Sequence, residues 1–141
     1  MTGFKAKRYE LKIEVLPEDI DEFGHVNNVV YLRWVQDASA AHWDFAATEQ
    51  QKARFGWVVV RHELDYLAPA LPGDEVIAVT GVRPAEGNLC ERHVEIVRAS
   101  DGKTLARARS LWCPVDMKRK RPCRVTPDIY ERFEEKVTEE K

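Results

Sequence analysis

One long helical pattern, set among five stretches of alternating hydrophobicity, limits what this chain can fold into more than any other feature. From about Val29 to Gln50 the run VVYLRWVQDASAAHWDFAATEQ contains neither proline nor glycine. Within it Trp34, Ala38, Ala41 and Phe45 recur at steps of four, three and four, the spacing of one apolar helix face. Asn27 or Asn28 can cap its start, because an asparagine side chain satisfies one of the unpaired amides there. Small Ala38, Ser39, Ala40 and Ala41 allow close approach to a sheet.

The other segments alternate with period two. In residues 7–15, KRYELKIEV, the apolar positions are Tyr9, Leu11, Ile13 and Val15. After Gly56 the same alternation returns in WVVVRHELDYLAP, DEVIAVTGVRP, NLCERHVEIVRAS and KTLARARSLWCPVD, which predicts four further strands. Asp101-Gly102 reads as a two-residue hairpin turn with positive φ at both positions. Pro72-Gly73 and residues 85–88 mark the other turns. Thr126-Pro127-Asp128 opens a last helix, with Ile129, Phe133 and Val137 at steps of four.

The predicted order is β, α, β, β, β, β with a C-terminal helix, an α+β chain. No repeat, linker or composition shift divides it, so one domain is expected over residues 1–141, with its core in 7–115 and a basic segment and helix in 116–141. One helix cannot cover both faces of a five-stranded sheet, so some apolar surface is expected to meet a second protomer.

Composition removes several classes. With 22 Lys and Arg against 24 Asp and Glu, the formal charge is −2, and nothing in the balance asks for a nucleic acid or a membrane. No apolar run approaches the ~20 residues of a bilayer span, and MTGFKAKRYE lacks the apolar stretch of a secretory signal, so a cytoplasmic location is expected. Cys90, Cys113 and Cys123 contain no CxxC pair and suit reduced thiols better than disulfides or a zinc site. His42, His62 and His93 lack the spacing of metal ligands, and no cofactor is expected.

The chemistry concentrates in Asp19-Ile20-Asp21-Glu22-Phe23-Gly24-His25-Val26-Asn27-Asn28-Val29-Val30-Tyr31. This places carboxylates, a glycine, a histidine and two amides in the loop that feeds a helix N-terminus. Such a terminus carries unpaired N–H donors and about half a positive charge, which polarise a carbonyl and stabilise the oxyanion formed on attack. A nearby carboxylate supplies the other half of an acyl-transfer site, as nucleophile or as base for water. Gly24 lets the backbone approach a ligand and turn where a side chain would resist.

These residues resemble the hot-dog acyl-CoA thioesterases, specifically the 4-hydroxybenzoyl-CoA thioesterase-like group, whose signature is an Asp, two residues, a Gly and a short run into the helix with a Tyr. GHVNNVVYLRW is also similar to the HVNN segment of the acyl-acyl carrier protein thioesterases, and VVVRHELDYLAPALPGDEV resembles the strand and turn after the central helix. The resemblance spans most of residues 7–115. It implies the hot-dog fold, a five-stranded antiparallel sheet wrapped around one long helix, in dimers or tetramers.

It further implies that Asp21 is the catalytic carboxylate, that the Asn28 amide polarises the thioester carbonyl, and that His25 assists. Gly24, Val26, Asn27, Tyr31, Trp57 and Glu63 are the expected substrate contacts, and Trp34, Phe45 and Trp57 the expected walls of an acyl tunnel. The chain departs from the pattern at Phe23, where the acyl carrier protein branch has an Asn, and at Gln36, where many relatives have a Glu. The expected partner is an acyl-CoA or acyl carrier protein thioester, with the basic run at 118–124 facing the nucleotide phosphates. A hydratase or dehydratase of acyl thioesters, or a binder without activity, are the alternatives on the same fold.

Overall fold

The computed structural model describes residues 4–135. Strand β1 (Tyr9–Glu14) leads through a 3-10 turn at Pro17–Asp19 to helix α1 (Asn28–Ala46), then α2 (Glu49–Arg54) and β2 (Phe55–Tyr66). Strands β3 (Glu75–Pro84), β4 (Cys90–Arg98) and β5 (Thr104–Asp116) follow, then a short β6 (Arg121–Pro122) and α3 (Pro127–Phe133). The sheet order is β1-β3-β4-β5-β2, every pairing is antiparallel, and β6 pairs with the end of β5. One long helix lies against this sheet, the hot-dog arrangement that the resemblance implied.

The helix buries Val30, Tyr31, Trp34, Val35, Ala38, His42 and Ala46. Val30, Tyr31, Trp34, Val35 and Ala38 pack on the inward rows of the sheet, Val76 and Ala78 of β3, Val94 and Ile96 of β4, and Ala106 and Ala108 of β5. A second cluster joins Ala46, Phe55, Val82 and Cys90 to Ile129 and Phe133 of α3. The C-terminal helix therefore closes one end of the core. Val137, the third apolar position expected on that helix, lies outside the described residues.

Three expectations are corrected. The helical run expected to reach Gln50 breaks at Ala47, whose backbone is extended, and restarts in α2. Thr48 causes the restart: its Oγ1 accepts from the Gln51 amide at 3.1 Å while Gln51 Oε1 accepts from the Thr48 amide at 2.9 Å. Phe45, expected in the core, is 71% exposed. It has the right helical phase, but at the last turn it meets the Tyr9 ring at 5.3 Å and remains open to solvent. At Asp101-Gly102 only Gly102 has positive φ, and the Gly102 amide donates to the Arg98 carbonyl at 2.8 Å, which makes a longer turn than the two-residue one.

The outer face of the sheet carries charge, as the alternation of apolar and charged residues along the strands implies. Arg107 pairs with Glu95 at 3.3 Å, and Arg109 with Glu91 at 3.1 Å and Glu63 at 3.5 Å, across three neighbouring strands. Exposed apolar side chains gather instead on and beyond the free edge strand β2, at Val58, Val60, Tyr66 and Leu67.

Candidate functional site

The loop before α1 is built around Asp21. Its Oδ1 accepts from the Phe23 amide at 2.9 Å and the His25 amide at 3.2 Å, an Asx-type turn closed by the Asp21 amide donating to the His25 carbonyl at 2.7 Å. Gly24 takes φ 79 within that turn, a left-handed conformation that glycine adopts without steric cost. Oδ2 of Asp21 has no protein hydrogen bond among the described residues. His25 orients the carboxylate through its backbone N–H, and its exposed ring makes no hydrogen bond among the described residues.

Two backbone hydrogen bonds fasten the end of the loop. The Asn27 amide donates to the Asp19 carbonyl at 2.8 Å, and the Val26 amide donates to the Ala70 carbonyl at 3.0 Å. Asn27 is the N-cap, its Oδ1 accepting from the Val29 amide at 3.2 Å. The Asn28 amide is the next donor. It lies too early for an intrahelical bond and has no protein acceptor among the described residues.

Asp21, His25, Val26, Asn28 and Tyr31 line one cleft of ≈ 290 Å³, whose far wall is Tyr66 to Pro69. Tyr31 is buried, its hydroxyl accepting from the Ala70 amide at 2.8 Å, and burial raises its pKa. Tyr66 donates its hydroxyl hydrogen to the Asn28 carbonyl at 3.1 Å and meets the Tyr31 ring edge-on at 5.4 Å. Arg98 pins the far wall from behind, bonding Asp74 at 3.0 Å, Asp101 at 3.0 Å and the Pro69 carbonyl at 2.9 Å. Neither Tyr66 nor Arg98 was among the expected site residues. Tyr66 stands in the LDYLAP string that carried part of the resemblance.

Two neighbouring aspartates are separated by burial. Asp19 is 1% exposed, with Oδ2 accepting from the Leu16 amide at 2.9 Å and Oδ1 paired to Arg33 at 3.0 Å. It is fully engaged in holding the loop, whereas Asp21 keeps one oxygen at the cleft.

Trp57 and Glu63 lie away from this cleft. Trp57 lines a separate cavity under the second half of α1, with Trp43 and Trp112. Glu63 is on the outer face, paired to Arg61 at 2.7 Å. The cause is a register shift between Val59 and Arg61, where β2 bulges against β5. Strict alternation from Trp57 would aim Glu63 at the helix, but the extra residue reverses the parity, so that Leu64 packs against the core. Among the described residues no cluster of His, Cys, Asp and Glu could hold a metal ion, and no helix is long and apolar enough to cross a membrane.

Solved structures with this arrangement include a 1,4-dihydroxy-2-naphthoyl-CoA thioesterase from Synechocystis, 19% identical with a TM-score of 0.75 over 89% of this chain and 93% of that one. A Thermus thermophilus thioesterase complexed with coenzyme A and zinc is 27% identical, with a TM-score of 0.72 over 94% of this chain and 95% of that one. The probable thioesterase YbaW of Escherichia coli is 22% identical, with a TM-score of 0.74 over 87% of this chain and 94% of that one. No curated protein sequence matches the chain. The family model of the thioesterase-like superfamily matches residues 15–133, from the loop before Asp21 to the end of α3, and the chain belongs to that superfamily.

Proposed function

We propose that this protein hydrolyses acyl-CoA thioesters in the cleft between the Asp21 loop and the Tyr66 end of β2. One observation carries the reading: a carboxylate oxygen of Asp21 and the Asn28 amide, neither with a protein partner among the described residues, line the same cleft. The thioester carbonyl oxygen sits at the Asn28 amide, where the helix N-terminus stabilises the charge that develops on attack. Asp21 either attacks the carbonyl carbon, giving a mixed anhydride that water then hydrolyses to the free acid, or takes the proton of a water that attacks directly. The leaving thiolate belongs to a thiol of pKa ~8.5, so it departs without a strong general acid. Gly24, Val26, Asn27 and Tyr31 shape the cleft around the thioester. The coenzyme A in the Thermus relative supports CoA over a protein-borne thioester.

A dimer through β2 completes the proposal. Val58 and Val60 are 52% and 54% exposed on a strand whose outer edge is unpaired among the described residues. Two such edges paired antiparallel about a two-fold axis set the Trp57 end of one strand against the Tyr66 end of the other. That pairing returns Trp57 to the neighbourhood of a cleft. It also brings the exposed basic residues 118–121, at the Phe55 end of β2, toward the phosphates of a CoA held by the partner. Three free cysteines fit a reducing cytoplasm.

The test is thiol release from short, long and aromatic acyl-CoAs, with an enoyl-CoA included. Thiol release from at least one saturated or aromatic thioester supports hydrolysis. Loss of enoyl absorbance without thiol, and no thiol from any substrate, would overturn it in favour of hydration.

A further inference from the structure

The cavity under the second half of α1 is lined by a cation, Arg92, whose guanidinium lies 5.8 Å from the Phe133 ring centroid and meets no carboxylate among the described residues. Arg92 belongs to the inward row of β4, with Cys90, Val94 and Ile96, and is 5% exposed. Its Nη1 bonds only uncharged groups, Thr80 Oγ1 at 2.9 Å and His42 Nδ1 at 3.0 Å. His42 is neutral there, because burial and the Arg92 charge take its pKa down to about 3. Burial lowers Arg92 itself to about 10, which leaves it protonated at neutral pH. Among the described residues no carboxylate pairs with it: Glu91 and Glu95, on the same strand, are engaged by Arg109 and Arg107 on the outer face.

Two of the lining residues, Trp57 and Trp112, carry indole Nε1 groups that are buried without an acceptor among the described residues. Trp43 and Phe133 supply apolar surface, and no acidic side chain lines the space. A guanidinium withdrawn from water without a counter-charge is among the costliest groups a fold can bury, and a bound anion offsets that cost. The volume is ≈ 230 Å³. A cavity of about 150 Å³ holds benzene, so a six-carbon chain ending in a carboxylate fits here.

We propose that this cavity is the acyl subsite and that Arg92 selects acyl groups whose far end carries a carboxylate, the half-thioesters of dicarboxylic acids. The proposal rests on the thioesterase reading above. The subsite begins at Gln36, about 12 Å along α1 from Asn28, too far for a short acyl chain within one protomer. The antiparallel β2 pairing shortens that path by bringing the cavity of one protomer toward the cleft of the other.

Two measurements separate this proposal from the reading beneath it. The first compares kcat/KM for adipoyl-CoA and hexanoyl-CoA, equal in length and differing by the terminal carboxylate, in wild type, Arg92→Met and Arg92→Lys. Wild type is expected to favour adipoyl-CoA at least about tenfold, Arg92→Met to lose the preference, and Arg92→Lys to keep part of it. The second follows tryptophan emission during titration with monomethyl adipate and with dimethyl adipate, since Trp43, Trp57 and Trp112 all line the cavity. The monoester is expected to bind at least about tenfold tighter than the uncharged diester, with the difference lost in Arg92→Met. Circular dichroism confirms that each variant is folded. Charge-selective binding without hydrolysis of any thioester upholds the Arg92 subsite and overturns the thioesterase reading. Hydrolysis without preference for the carboxylate, and equal binding of the two esters, overturns the Arg92 subsite and leaves the thioesterase reading standing.

Discussion

Tyr66 donates to the carbonyl of Asn28 at 3.1 Å, fastening the end of β2 to the first turn of α1. These residues are 38 apart in sequence and form opposite walls of one cleft. The bond ties the Asn28 turn to the end of β2, and it acts beside two bonds that Ala70, next to the far wall, makes with the Val26 amide and the Tyr31 hydroxyl.

Tyr66→Phe removes that bond and leaves the ring against Tyr31. Unfolding free energy is expected to fall by no more than about 1 kcal/mol, because a half-exposed hydroxyl recovers most of its hydrogen bonding from water. Hydrolysis is expected to slow by roughly 3- to 10-fold in kcat/KM, following loss of positioning of the first helical turn. Steady-state kinetics beside urea denaturation check both.

Asp19 and Asp21 stand two residues apart and should respond differently. Asp19→Ala deletes a buried acceptor of the Leu16 amide and the partner of Arg33, and is expected to cost about 1–3 kcal/mol of stability. The rate per folded molecule should change far less, since the Asn27 amide bonds the Asp19 backbone carbonyl, which alanine retains. Urea denaturation with active-site titration separates the two effects.

His42 makes stability depend on pH. Its pKa in the folded protein is about 3, below the ordinary 6.5, so between these values the unfolded chain binds the extra proton. Stability is then complete above about pH 6.5 and declines as the pH falls toward 3, with a slope of up to ~1.4 kcal/mol per pH unit. Between pH 6.5 and 5 most carboxylates stay ionised, which isolates the histidine contribution. His62, lowered by burial, adds a smaller contribution of the same sign. His42→Gln keeps a possible acceptor for Arg92 and should flatten the slope, as measured by denaturant unfolding across that range.

The sheet, the central helix and the Asp21 loop are legible in sequence because their signals are local. Alternation in KRYELKIEV maps onto β1, where Leu11 and Ile13 pack inward and Glu10 and Lys12 face out. Asn27 before VVYL marks a cap that the geometry reproduces. The misses come where local phase and three-dimensional neighbours part. Phe45 has the phase of a core residue but lies exposed beside the Tyr9 ring. Glu63 follows a bulge at Val59/Arg61 that no residue type in VVVRHEL announces. Tyr66 owes its place to a hydrogen bond across 38 residues, and Arg92 reads as an ordinary charged residue of an alternating strand until the inward row is known.

Thiol release by Asp21→Asn, compared with Asp21→Ala, tests the central claim most directly. Asparagine keeps an oxygen able to accept from the Phe23 and His25 amides, so the loop and the melting temperature should survive, while the oxygen that attacks or takes a proton is gone. The expected result is at least a 100-fold fall in kcat for Asp21→Asn, about 2.7 kcal/mol of transition-state stabilisation, with an unfolding curve matching wild type. Asp21→Ala should lose the same activity and also destabilise the loop. An Asp21→Asn protein that releases thiol within a few-fold of the wild-type rate would show that the carboxylate does not carry the reaction.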